Sequence, residues 1–197
     1  MKTIVLIGDP NVGKSVLFSR LTGVDVITSN YPGTTVDYLK GRMMLHGEAV
    51  EILDAPGTYS LEAANKAEEV AVSLMGRADL VVNVVDATSL ERCLLLTVEL
   101  LEKRKPLIIA LNMWDEAQHH GINIDVRELE RLLQVPVVPT VAITGEGIKE
   151  LTDRLGEPQI PNRTEHCGED QAWIKVGHIV RKVQTIAHRH HTFRDRL

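Results

Sequence analysis

Cysteine, positive charge and long apolar runs are all scarce in this chain. Its 197 residues hold two cysteines, Cys93 and Cys167, which form no recognisable disulfide framework, so a reduced, cytosolic setting is expected. Against 27 Asp and Glu stand 22 Lys and Arg, a net charge of −5. A chain of that balance offers no broad basic surface to a phosphate backbone, which argues against RNA or DNA as a partner. No apolar run approaches the roughly 18 residues of a membrane-spanning helix. No cleavable apolar leader precedes Lys2 and Thr3, and a soluble protein is expected. Internal repeats and low-complexity tracts are missing too, leaving the composition of an ordinary globular chain, 44% hydrophobic and 25% charged.

Strand-like and helix-like patterns alternate along the chain. Buried strands are expected at 2–8, 79–85, 106–112 and 136–141, and a hairpin at 36–45 and 48–53 around Gly47. Helices are expected at 14–22, 66–76, 90–103, 125–133 and 147–155. Near-continuous Val/Ile/Leu strands alternating with helices predict an α/β fold: a mostly parallel sheet, helices on both faces, one antiparallel edge hairpin. Residues 156–171 are rich in Pro, Gly and charge and read as a linker between a 1–155 domain and a 172–197 appendage. In that appendage Trp173, Val176, Ile179, Val180, Val183 and Ile186 recur at helical spacing, predicting one amphipathic helix.

The first strand runs into Gly8-Asp9-Pro10-Asn11-Val12-Gly13-Lys14-Ser15, a full G-x-x-x-x-G-K-S that leads into the helix at 14–22, with Val16 beside it as a further nucleotide-binding candidate. In such a loop the backbone N–H groups and the positive helix end converge on a phosphate chain. Gly8 and Gly13 let the backbone turn without a Cβ in the way. Lys14 carries a charge to the β- and γ-phosphates, and the Ser15 hydroxyl suits Mg²⁺. The loop is therefore expected to hold a nucleoside triphosphate. Asp54-Ala-Pro-Gly57 follows the second hairpin strand. Asp54 is placed to face Mg²⁺ through water, and the Gly57 N–H to sense the γ-phosphate. Asn112-Met113-Trp-Asp115 follows the strand at 106–112. A buried carboxylate at Asp115 would accept two guanine N–H groups that adenine does not offer, and Asn112 would tie the base loop to the phosphate loop.

These motifs resemble the small GTPases. More closely, the chain is similar to the cytosolic N-terminal G domain of the FeoB family of bacterial ferrous iron transporters, which belongs to the P-loop GTPases. The segments that carry the likeness are GDPNVGKS (8–15), SNYPGTTVDYLKG (29–41), LDAPGTYSL (53–61), VVNVVDATSLERCLLL (81–96), ALNMWDEA (110–117) and TGEGI (144–148). The resemblance implies GTP and GDP as ligands with Mg²⁺, and loops 24–35 and 54–65 as switches. It implies Thr35 as the threonine that closes on Mg²⁺, beside Gly33 and Thr34, and Ala142, Ile143 and Thr144 as the late loop lining the base. It implies Asn11 as a candidate K⁺ ligand, with K⁺ taking the part of an arginine finger's charge. It also implies a membrane-embedded portion of the same polypeptide, a small cytosolic accessory protein of the iron system, homo-oligomers, and a place on the cytoplasmic face of the inner membrane.

Three positions depart from that pattern. Met113 replaces the usual lysine of the base motif, Thr58 stands where Ras-like enzymes carry a water-orienting glutamine, and the late loop reads VAITGEG. Slow hydrolysis is expected, and a binding-only switch or an RNA-associated GTPase are the alternatives. His178, His188, His190 and His191 read as solvated residues near a helix end rather than as metal ligands.

Overall fold

A computed structural model describes residues 1–23, 26–161 and 168–187. Cys167, His188, His190, His191 and the 191–197 stretch lie outside the described residues.

The elements are β1 (Thr3–Ile7), α1 (Lys14–Thr22), β2 (Val26–Asn30), β3 (Asp37–Leu45), β4 (Glu48–Asp54), α2 (Lys66–Arg77), β5 (Leu80–Asp86), α3 (Leu90–Glu102), β6 (Leu107–Asn112), α4 (Trp114–His119), β7 (Ile122–Ile124), α5 (Val126–Leu133), β8 (Val137–Pro139), α6 (Ile148–Leu155), α7 (Glu169–Val183) and β9 (Gln184–Ile186). Seven strands form one sheet in the order β2-β3-β4-β1-β5-β6-β8. β4, β1, β5, β6 and β8 run parallel, while β2–β3 and β3–β4 are antiparallel. The predicted sheet is present, and its antiparallel margin is three strands deep rather than a single hairpin.

The aliphatic runs explain the parallel centre. All of β5 (LVVNVVD) and β6 (LIIALN) is buried, as strands covered by helices on both faces must be. Phe18 and Leu17 of α1, Leu74 of α2, and Leu90, Leu94 and Leu96 of α3 are fully buried against it. Helix starts carry their own signals: the Asn65 side chain accepts from the Glu68 N–H at 3.0 Å, and Asp125 accepts from the Glu128 N–H at 3.0 Å.

Four short elements were not expected. β2 falls inside the segment expected to be a loop: its VITSN has no buried face, and only pairing with β3 makes it a strand. α4, at six residues, is too short to show a period. β7 and β9 pair with each other in a separate two-stranded sheet. The C-terminal helix begins at Glu169, inside the predicted linker, and ends at Val183, where Gln184 turns extended. Val176, Ile179 and Val183 are buried as expected, but Trp173 and Ile186 are 46% and 60% exposed, and Ala172 is buried instead. Ile186 leaves the helical face because it belongs to β9, whose backbone continues into Ala187 N–H to Gly121 O at 2.9 Å.

The parallel strands place the chemistry. β1, β4, β5 and β6 all end on the same side, at Ile7, Asp54, Asp86 and Asn112, and registers Leu6↔Asp54 and Asp86↔Asn112 set these ends side by side. Ligands of open α/β sheets lie outside the carboxyl ends of such strands.

Candidate functional site

The phosphate loop leaves β1 and returns into α1 through two left-handed residues, Asn11 (φ 66) and Gly13 (φ 83). At Gly13 a Cβ would stand 2.3 Å from the Asn112 side-chain nitrogen, so glycine is required twice over, by conformation and by space. A Cβ on Gly8 would meet the Val84 carbonyl oxygen at 2.4 Å. The loop and the helix start enclose a cleft of about 320 Å³ lined by Asp9, Pro10, Asn11, Gly13, Lys14, Ser15, Val16 and Gly57.

Two of these residues, Lys14 and Ser15, converge on Asp54. Lys14 Nζ lies 2.7 Å from Asp54 Oδ1, and Ser15 Oγ donates to Asp54 Oδ2 at 2.7 Å. Lys14 and Asp54 are both buried, and each is the other's charge partner there. A hydroxyl and a carboxylate side by side form a hard-oxygen donor set that fits Mg²⁺. Gly57 closes the cleft from the other side: a Cβ there would meet Pro10 Cα at 2.9 Å, and the next residue's N–H, from Thr58, donates to Gly8 O at 3.1 Å.

Asn112 joins the cleft to the loop after β8. Its Nδ2 donates to Val12 O at 2.9 Å, and its Oδ1 accepts from Ala142 N at 3.0 Å and from Thr140 Oγ1 at 3.2 Å. One buried amide therefore links the phosphate loop to the late loop. Met113 is left-handed (φ 58) and Asp115 sits in the first turn of α4. Asp115 is exposed, not buried as expected, since α4 is a short helix that buries only Ala117. Ala142 is buried, while Ile143 is 77% exposed. Thr144 Oγ1 donates to Val141 O at 3.3 Å, closing the late loop on itself.

The segment expected to be the first switch stands apart from this cluster. Gly33 (φ 79) and Thr34 form a turn, with Thr34 N–H to Tyr31 O at 3.0 Å and Val36 N–H to Thr34 Oγ1 at 3.2 Å. Thr35 is exposed and does not line the cleft with Lys14 and Ser15. The Tyr31 hydroxyl bonds instead to Ser73 on α2.

A family model described as ferrous iron transport protein B matches residues 2–155. The chain belongs to the FeoB family. It is 44% identical over 156 residues to the Fe(2+) transport protein A/Fe(2+) transporter FeoB fusion protein of Porphyromonas gingivalis, covering 77% of this chain and 18% of that protein. It is 45% identical over 155 residues to the Fe(2+) transporter FeoB of Salmonella typhimurium, covering 76% and 20%. The chain thus spans about a fifth of the length of these relatives. Among solved structures, the cytosolic domain of L. pneumophila FeoB superimposes with a TM-score of 0.87 at 31% identity, over 93% of this chain and 100% of that one. The cytosolic domain of T. maritima FeoB in its GMPPNP form gives 0.84 at 27% identity, over 94% and 100%.

The FeoB pattern leaves several supporting residues unmentioned, and only the fold reveals them. Glu99 on α3 accepts from Leu61 N–H at 2.6 Å and Ser60 Oγ at 3.1 Å, holding the segment that follows Gly57, and burial raises its pKa. Asp9 is 2% exposed; burial raises its pKa against the opposing pull of Cys93 and Arg92, whose Nε lies 3.1 Å away. Cys93 itself is pushed up to about 12, chiefly by burial, and is an inert thiol. Arg20 Nε donates to Ala142 O at 3.0 Å, and its Nη2 to Ile143 O. No sequence period announces these contacts, since each joins elements distant along the chain. Among the described residues no group of three or more His, Cys, Asp or Glu side chains gathers to hold a metal ion, and His178 stands exposed. Among the described residues, too, no helix is long and apolar enough to cross a membrane.

Proposed function

We propose that this chain binds and hydrolyses GTP and that it serves as the nucleotide-dependent regulatory domain of a ferrous iron transporter. The observation that carries the reading is the convergence of Lys14 and Ser15 on Asp54 beside a loop with no room for a side chain at Gly8 or Gly13. Arrival of a triphosphate would give Lys14 a new anionic partner, so one charge pair exchanges for another at little desolvation cost. That exchange releases Asp54 and the Ser15 hydroxyl toward Mg²⁺. The metal, when bound, supplies neutralisation of the charge developing on the β- and γ-oxygens. Loop N–H groups orient the phosphates, Gly57 brings its N–H to the γ end, and Asn112 keeps the base loop in register with the phosphate loop. Asp115 reads guanine, with Met113, Ala142, Ile143 and Thr144 around it. Thr35 then has to move inward for the GTP state.

Thr58 is not a general base in this arrangement. It is 1% exposed, and its hydroxyl donates to Ser60 O at 2.6 Å. Hydrolysis is accordingly slow, and K⁺ held by Asn11, which lines the cleft, raises it by supplying positive charge. Beyond the nucleotide domain, α7 leads toward a membrane portion of the same polypeptide at the inner membrane. The P. gingivalis relative, named as a fusion with Fe(2+) transport protein A, supports a small accessory protein as partner.

Hydrolysis measured at single turnover in KCl and in NaCl, alongside GDP and ADP binding, tests the reading. GDP preference over ADP and faster turnover in KCl are expected. Equal affinity for both nucleotides, or undiminished GTP binding by both Lys14→Ala and Ser15→Ala, would overturn it. Equal turnover in the two salts would remove the K⁺ role alone. An Asp115→Asn variant is expected to shift preference toward xanthine nucleotides.

A further inference from the structure

The late loop is held from both of its faces, and one of the two grips comes from the helix that carries the phosphate machinery. On one face Ala142 donates its N–H to Asn112 Oδ1 at 3.0 Å. On the other, Arg20, from the last turn of α1, donates Nε to Ala142 O at 3.0 Å and Nη2 to Ile143 O. Two adjacent carbonyls met by one planar fork is a geometry that guanidinium provides and a point-charge ammonium does not. The loop's internal bonds, Gly145 N–H to Val141 O at 2.8 Å and Val141 N–H to Glu146 O at 3.0 Å, shape it without anchoring it to the rest of the fold. Besides the buried side chains of Val141 and Ala142 and the backbone bonds at its two ends, the side-chain hydrogen bonds that tie it to the rest of the fold come from Asn112 and Arg20. Lys14 and Ser15 start the same α1 whose other end carries Arg20, so a single rigid helix spans the phosphate cleft and the late loop.

We infer that Arg20 is a positioning residue for the base side of the nucleotide site: it fixes the Ala142–Thr144 loop from α1 and slows nucleotide release. The inference rests on the guanine-nucleotide reading above. It predicts a selective effect, because the contacts that Arg20 makes lie on the late loop and not on the phosphate loop. Removing it loosens what touches the base and leaves what touches the phosphates.

The test uses the full chain and two variants, Arg20→Ala and Arg20→Lys. Release of fluorescently labelled GDP is followed by stopped flow, and affinity for magnesium tripolyphosphate, which has no base, is measured by calorimetry. Arg20→Ala is expected to release GDP about tenfold faster, the equivalent of ~1.4 kcal/mol, with tripolyphosphate affinity unchanged. Arg20→Lys, which keeps the charge but not the fork, is expected to fall between the two. Parent-like GDP release in Arg20→Ala would overturn the inference. So would a parallel loss of GDP and tripolyphosphate affinity, the mark of general loosening, and full rescue by Arg20→Lys would overturn the fork argument. Failure of the unmodified chain to bind GDP would refute the nucleotide reading and this inference with it, and the parent measurement identifies that case before any variant is compared.

Discussion

Truncating Asn112 to alanine attacks the one side chain that stitches three loops together. Asn112 is 3% exposed, and it satisfies Val12 O at 2.9 Å, Ala142 N–H at 3.0 Å and the Thr140 hydroxyl at 3.2 Å. The hydroxyl can rotate to another acceptor, but the two backbone groups cannot. A buried polar group left without its partner costs about 1–3 kcal/mol. Two such groups, with the lost packing of the amide, give an expected destabilisation of ~3 kcal/mol. For a chain of this size each kcal/mol lowers the melting temperature by about 2–4 °C, so a fall of roughly 6–12 °C is expected. Thermal unfolding of the nucleotide-free variant, followed by circular dichroism, measures it. Nucleotide must be removed first, because bound ligand adds its own stabilisation to the parent. A fall under about 2 °C would show that the three hydrogen bonds are replaced by water, and would refute the claim that Asn112 structurally joins the phosphate loop to the late loop.

Asp9 gives a pH-dependent prediction. Burial raises its folded-state pKa above the ordinary 3.8, so the native protein holds that proton more tightly than the unfolded chain, and its contribution to stability falls as pH rises through this window. Asp9→Asn is therefore expected to melt above the parent at pH 7, with the gap closing as pH is lowered toward 3.8; a variant less stable at pH 7, or a gap independent of pH, would contradict this. The Arg92 partner does not reverse the sign, since its side chain is 52% exposed and water screens the pair. Asn83, buried in β5, donates Nδ2 to Thr97 Oγ1 at 2.7 Å, while its Oδ1 has no partner among the described residues. Asn83→Leu removes an unpaired buried oxygen together with one hydrogen bond, and urea unfolding is expected to place it within ~1 kcal/mol of the parent. A loss above about 2 kcal/mol would mean that the oxygen is satisfied by internal water.

The strongest segments of the fold were legible because their signals are local. TIVLI, LVVNVVD and LIIALN are short, β-branched apolar runs that read as buried strands, and the glycine–lysine–serine loop after the first of them favours a turn into a helix. β2 was illegible for the opposite reason: it buries no face, and its strand character comes entirely from hydrogen bonds to β3. The same holds for β7 and β9, three residues each, which exist only as a pair.

Identity and order of the motifs, and with them the expected chemistry, came from the chain's letters alone, because backbone conformation at Gly13 and side-chain type at Lys14, Ser15, Asp54 and Asn112 are properties of single positions. Which of those groups touch was decided by the tertiary structure. Lys14 and Ser15 meet Asp54 across 40 and 39 residues, Asn112 reaches Val12 across 100, and Arg20 reaches Ala142 across 122. Contacts of that span depend on strand order and register, and those are set by how the whole sheet packs, not by any segment's own preference.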